Sequence, residues 1–181
     1  MKLRLLPVIL SVLVSASLLF GGYFAYQSFA MESPLQKTVS GIKGVQLVSM
    51  ELGSTEATME ITLDKGTSLR EVYHQIQNQG GTALARKDLK LKVTNPGSPR
   101  LEQWWSSALF DIAQAMETKQ YAQIPATLKE KAAQDAQAGG AITTSTEMDE
   151  RYVYITLTDG EASKYIMLPR TAAKMGVWPN E

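Results

Sequence analysis

The amino end of the chain carries a long apolar segment, and this feature limits the possible folds more than any other. From Leu5 to Tyr26 the sequence runs for 22 residues without a charged side chain. A helix rises about 1.5 Å per residue, so the segment would reach about 33 Å, enough to cross a hydrocarbon core of roughly 30 Å. The segment therefore predicts a transmembrane helix over residues 5–26, preceded by a short cytoplasmic end at residues 1–4.

The positions of the basic residues predict the orientation of this helix. Lys2 and Arg4 precede the apolar segment, and the next basic residue is Lys37. Because basic residues favour the cytoplasmic side of a membrane, we expect the amino end in the cytoplasm and the rest of the chain outside it. The sequence thus predicts a single-pass protein of the cell membrane with an extracytoplasmic domain.

A cleaved signal peptide is the alternative reading of the same segment. Ser28 and Ala30 are small residues at the spacing that signal peptidase requires, so a cut after Ala30 would release a secreted protein. The apolar stretch exceeds the usual 7–15 residues of a signal peptide core, which favours a retained anchor. Both readings place residues 31–181 outside the cytoplasm.

Charge and cysteine content exclude several classes of function. The chain has 18 basic and 18 acidic residues, so the part after the anchor is near neutral and lacks the clustered basic face of a nucleic-acid-binding protein. It contains no cysteine, which excludes disulfides, thiolate metal sites and cysteine nucleophiles. The remaining length suits one ordinary globular domain.

The patterns after the anchor predict an α+β domain. We expect a mostly antiparallel sheet with helices covering one face, in the order TM-(α)ββαβ-αα-βββ. The predicted parts are a juxtamembrane stretch at 27–43, the domain at 44–170 and a loose tail at 171–181. A division into two subdomains would fall near residues 95–98.

Local signals fix several ends of these elements. Ser68 and Glu71 form a capping box at a helix start, and Ser98 with Pro99 begins the longest helix of the domain. The Asp159-Gly160 pair between two β-rich runs predicts a hairpin. Strands are predicted over 45–52, 58–64, 88–94, 141–148, 152–158 and 163–168, and a further helix over 123–137.

The element order in residues 34–94 resembles a known type of module. Helix, two strands, capped helix and strand follow one another, as in the small αββαβ modules that recur in extracytoplasmic membrane-ring and assembly proteins. The resemblance covers about a third of the chain and rests on element order. It implies a fold, and no site residue is transferred from it.

The sequence predicts neither catalysis nor a metal or cofactor site. His74 is the only histidine and lies away from the apolar stripe of its helix. The carboxylate pairs, which are Asp149 with Glu150, Glu147 with Asp149, and Asp159 with Glu161, are assigned to turns, where such residues usually form the turn itself. We therefore expect a protein that is not an enzyme and needs no cofactor.

Two groups of aromatic residues are the candidate interaction surface. Phe110 lies opposite the core stripe of the longest helix, unless the following helix covers it through Ile124 or Leu128. Tyr152, Tyr154 and Tyr165 share one face of the last hairpin, which either binds a partner or packs beneath a helix.

These expectations favour a membrane-tethered interaction or assembly module of the cell envelope, with an unidentified protein partner and no nucleic acid. The alternatives are a sensor or ligand-binding domain that uses the Tyr-lined face, and an enzyme whose site leaves no local motif. Ser17, Gly21 and Ala25 recur every four residues in the anchor, a spacing that allows two membrane helices to approach closely. A homo-oligomer is therefore one option.

Overall fold

Helices and two separate sheets make up the computed structural model, which describes residues 5–26, 32–85 and 87–171. The predicted α+β class is confirmed. The helices are α1 (Leu5–Tyr26), α2 (Ser33–Ser40), α3 (Leu69–Gln79), α4 (Gly81–Leu84), α5 (Pro99–Glu117) and α6 (Gln123–Gln137). The strands are β1 (Val45–Leu52), β2 (Glu56–Leu63), β3 (Asp88–Val93), β4 (Thr143–Met148), β5 (Tyr152–Asp159) and β6 (Ala162–Pro169).

The first sheet has the order β1-β2-β3 and mixes strand directions. A hairpin joins β1 to β2 in antiparallel register, with Val45 opposite Leu63. In contrast, β2 and β3 are parallel, with Ala57 opposite Leu89. The helices α3 and α4 return the chain to the end of the sheet at which β2 begins. A parallel pair needs a crossover connection of this kind. Three of the four strand pairs are antiparallel, as predicted, but the strands form two sheets where the sequence predicted one.

The second sheet is antiparallel and has the order β4-β5-β6. Thr143 of β4 lies opposite Thr158 of β5, and Tyr152 of β5 lies opposite Pro169 of β6. The central strand β5 therefore pairs on both edges, and its two faces are both available for packing. Alternating side chains of one strand point to opposite faces.

Each face of β5 belongs to a different core. Tyr154 packs into the first core, while Val153, Ile155 and Leu157 pack into the second. The first core is built mainly by α2, the first sheet and α3 through Leu35, Val39, Met59, Ile61, Leu63, Leu69, Val72, Tyr73 and Ile76. The second is built mainly by α5 and α6 through Leu101, Ala108, Ile112, Ala115, Ile124 and Leu128. Helices therefore cover both faces of the second sheet, where the sequence predicted one.

The predicted helix starts are confirmed by their caps. Ser68 Oγ accepts a hydrogen bond from the Glu71 amide at 3.1 Å, and Ser98 Oγ accepts one from the Leu101 amide at 3.1 Å. The Ser68 hydroxyl also donates to Glu147 Oε2 of β4 at 2.6 Å. The cap of α3 thus ties the first half of the domain to the second sheet.

The helix α1 coincides with the apolar segment that was predicted to span a membrane. Most of its described side chains are exposed, among them Leu18, Leu19 and Phe20. Across the residues that the structure describes, no helix qualifies as a membrane span by length and apolar character together. The predicted cytoplasmic end, the cleavage site after Ala30 and the tail beyond Thr171 lie outside the described residues.

Candidate functional site

The Tyr-lined face of the last hairpin packs against α3. Tyr154 is only 1% exposed, and Tyr152 and Tyr165 are partly buried against the first core. The ring of Tyr73 on α3 lies 5.3 Å from the ring of Tyr152 and 6.2 Å from that of Tyr154, measured between centroids. In this arrangement a partner has no access to Tyr154, so the Tyr-lined face is not an open binding surface.

Asp149 is the polar centre beneath this aromatic cluster. Its Oδ1 accepts hydrogen bonds from the backbone amides of Arg151 at 2.7 Å and Tyr152 at 2.8 Å. Its Oδ2 accepts the Tyr154 hydroxyl at 2.6 Å and lies 2.9 Å from Nε2 of His74. Because the Asp149 side chain is only 10% exposed, these partners replace most of its water.

The ionisation of this cluster suits a structural role. Burial raises the pKa of Asp149, but hydrogen bonds from Tyr154, Tyr152 and Arg151 and the nearby His74 outweigh it, so the pKa lies below 3.8. Burial, reinforced by Asp149, raises the pKa of Tyr154 above 10.0. At neutral pH Asp149 is ionised and Tyr154 is protonated. Neither group exchanges a proton near neutral pH, as a general acid or base would need to.

Phe110 stands free on the surface of α5. Its side chain is 85% exposed, whereas Ile124 and Leu128 of α6, which could have covered it, are fully buried in the second core. Those two residues pack on the opposite side of α5, with Ala108 and Ile112. The structure therefore leaves Phe110 without the cover that the sequence allowed.

An apolar groove lies beside Phe110. It has a volume of about 580 Å³ and runs between the second half of α5 and the end of β6. Leu109, which is 44% exposed, lines it together with Ile112, Ala113, Met116 and Leu168. Exposed apolar side chains beside a concave apolar surface are typical of interaction sites.

Polar residues hold the β6 end of the groove in place. Nη1 of Arg170 donates to the Asp149 carbonyl at 2.6 Å, and its guanidinium carbon lies 4.6 Å from the centroid of the Tyr121 ring. The Tyr121 hydroxyl in turn donates to the Arg170 carbonyl at 3.3 Å. These contacts tie Arg170 to Asp149, which follows β4, and to Tyr121 in the connection between α5 and α6, so this wall of the groove is held by neighbouring segments.

Among the residues that the structure describes, there is no group of three or more histidine and acidic side chains that could hold a metal ion. His74 lines an open depression of about 380 Å³ with Arg70, Glu71 and Asn78, all polar and surface-lying. The predicted turn residues Asp159 and Glu161 form ion pairs with Arg100 at 3.2 Å and Lys65 at 3.1 Å.

Comparisons with known proteins give no family assignment. No protein-family model, no curated protein and no solved structure matches this chain.

Sequence reasoning placed Phe110 opposite the core and Asp149 in a turn, but it missed the buried cluster around Asp149 and the groove. Asp149 carried a detectable signal, because an Asp side chain that accepts the amide two residues later forms a common turn, seen here with Arg151. The groove gave no such signal in the sequence. Its two walls, α5 and the segment Leu168–Arg170, are distant in sequence and come together only because α5 packs on the second sheet.

Proposed function

We propose that the chain is a membrane-tethered, extracytoplasmic interaction or assembly module of the cell envelope and acts without catalysis. The observation that carries the proposal is the 85% exposure of Phe110 beside an apolar groove. Aromatic side chains, phenylalanine included, are enriched at protein interfaces. The face of the last hairpin is a weaker candidate because Tyr154 is buried.

The tether rests on the sequence of the first 26 residues. Although no helix of the described residues qualifies as a membrane span, the segment from Leu5 to Tyr26 is helical, free of charge and follows Lys2 and Arg4. Such a segment is expected to remain in lipid with its amino end in the cytoplasm. A tether would confine the domain beside the membrane and raise its effective concentration for partners there.

A small apolar ligand is the second candidate occupant of the groove. The volume of about 580 Å³ falls within the range of roughly 300–1,000 Å³ that is common for small-molecule sites. Phe110 projects outside the groove, however, where a small ligand inside it would not use the ring. This placement favours a protein partner.

A photoreactive amino acid at position 110 tests the interaction function. In membranes that contain the full-length protein, we expect irradiation to give discrete adducts from position 110, because the ring would lie in the interface. The same probe at Lys129, an exposed position on α6, is the matched control. A yield of adducts at position 110 that is no higher than at position 129 would contradict the proposed interaction surface.

Extraction from membranes tests the tether. The native protein should stay in the membrane pellet at alkaline pH, and Leu13→Arg should shift it toward the soluble fraction, since an arginine at mid-helix costs about 2.5–3.5 kcal/mol of insertion free energy. Leu13→Ala is the control and should remain in the pellet. A native polypeptide that starts at residue 31 and stays in the supernatant would show a cleaved signal peptide instead.

A further inference from the structure

We propose that the partner at the groove is a second copy of this chain, which pairs α5 with α5 around Phe110. The inference rests on the interaction function proposed above and names its partner. It starts from a stripe of exposed residues along α5, which we call the α5 seam. The seam consists of Gln103, Ser106, Phe110, Ala113 and Glu117.

The members of the α5 seam share one face of the helix. They follow at intervals of three, four, three and four residues, and Phe110 and Ala113 are the apolar members in the middle of this face. The seam lies away from Leu101, Ala108 and Ile112, which face the second core. The helix α5 therefore offers a second packing face, and in the described part of the chain nothing covers its central residue, Phe110.

The composition of the α5 seam fits a copy of itself. Ser106 and Ala113, one turn before and one turn after Phe110, are small, so they leave room for an incoming ring. The seam itself carries no charge from Gln103 to Ala113, and Glu102, the charged residue beside its amino end, is already bound to Lys164. The surface around Phe110 thus supplies a projecting ring and, between α5 and the end of β6, a depression beside it, which a symmetric contact requires.

The direction of pairing follows from where the ring and the groove lie. At about 100° per residue, Phe110 projects roughly 50° to one side of the line from Ser106 to Ala113, and Leu109 of the groove projects roughly 50° to the other. A two-fold axis parallel to α5 brings each Phe110 onto the groove side of the other copy. An antiparallel pair would place both rings on the same side, so we expect parallel pairing.

The contact between the two α5 helices is small, so the pairing would depend on the membrane tether. A contact confined to one helix per copy falls short of the about 800 Å² per partner that stable complexes bury. Pairing is then weak in dilute solution and grows when copies share a membrane, because their effective concentration rises.

Single-cysteine variants test the pairing in membranes that contain the full-length chain. The chain has no cysteine, so each introduced thiol is the only one present. In a parallel pair, Ser106→Cys and Ala113→Cys each face their own copy, and oxidation should link each variant to a dimer of twice 19.9 kDa. Lys129→Cys on α6 is the control and should stay monomeric. Adding Phe110→Ser to Ala113→Cys should lower the dimer yield about tenfold.

The charge at the carboxyl end of the seam gives an independent check of direction. In a parallel pair the two Glu117 side chains approach each other, so Glu117→Gln should raise the yield of Ala113→Cys dimers. An antiparallel pair would link Ser106→Cys to Ala113→Cys only when both variants are mixed, and Glu117→Gln would have no effect. That result would overturn the parallel arrangement.

The outcomes separate this proposal from the interaction function. If neither cysteine variant forms a dimer while the probe at position 110 captures a different protein, the partner is not a second copy of this chain, and the interaction function stands. If the Ala113→Cys thiol stays monomeric and resists alkylation, another part of the same chain fills the groove, and the proposal fails. If the thiol reacts freely and position 110 captures nothing, both proposals fail.

Discussion

Replacing Tyr154 with alanine is expected to cost about 3–5 kcal/mol of unfolding free energy, the range for large aromatic side chains removed from a core. Tyr154 is 1% exposed and packs among Tyr73, Tyr152 and the rest of the first core. Its loss also removes the hydroxyl that donates to Asp149 at 2.6 Å. Because neighbouring Val153 and Ile155 belong to the second core, the damage should spread to both cores.

Urea unfolding of the full-length protein in mild detergent measures this effect. The fluorescence of Trp104 and Trp105 reports on the second core, where they pack, and near-ultraviolet circular dichroism reports on all packed aromatic rings, including the tyrosine cluster of the first core. Both signals should shift to the same lower urea concentration. Phe110→Ala is the control and should change stability by less than about 0.5 kcal/mol, because its ring is exposed. A shift seen by circular dichroism without a shift in fluorescence would contradict the coupling.

Replacing Asp149 with alanine is expected to cost about 3 kcal/mol at neutral pH, because it leaves the buried Tyr154 hydroxyl and two amides without their charged acceptor. Asp149→Asn keeps an acceptor oxygen and should cost less. Glu150→Ala is the matched control in the same turn, and it should stay within about 0.5 kcal/mol because Glu150 is exposed.

The contribution of Asp149 should also depend on pH. Its pKa is lower in the folded protein than the ordinary value of 3.8, so folding favours the ionised form. The stabilisation is therefore complete above pH 3.8 and is lost as the pH falls through the lower folded-state pKa. The gap in unfolding free energy between the native protein and Asp149→Ala should narrow over that acid range. A gap that stays constant would show that ionisation of Asp149 does not matter.

Most elements of the domain could be predicted from the sequence because their signals are local. The cap at Ser68, Pro99 at a helix start and the Asp159-Gly160 turn fix ends of elements through neighbouring residues. Strand direction in the first sheet could not be predicted in the same way. Whether β3 runs parallel or antiparallel to β2 depends on the path of α3 and α4 across the sheet, and this path is set by packing in the first core.

The candidate site could also be predicted only where the signal is local. The direction of Phe110 follows from helix periodicity, so the sequence could place it opposite the core. Whether α6 covered it depended on how two helices pack, and Ile124 and Leu128 turned out to lie on the other side of α5. The face with Tyr152, Tyr154 and Tyr165 was predicted correctly as a shared face, but only the tertiary contact with Tyr73 buries it.

The position of β5 has a consequence for the order in which the protein can fold. The first core is made almost entirely from residues before Val93, yet Tyr154 completes it. A ribosome adds about 5–20 residues per second, so the roughly 60 residues between them delay completion by roughly 3 to 12 s. During that interval the part of Tyr73 on α3 that Tyr152 and Tyr154 later cover remains exposed.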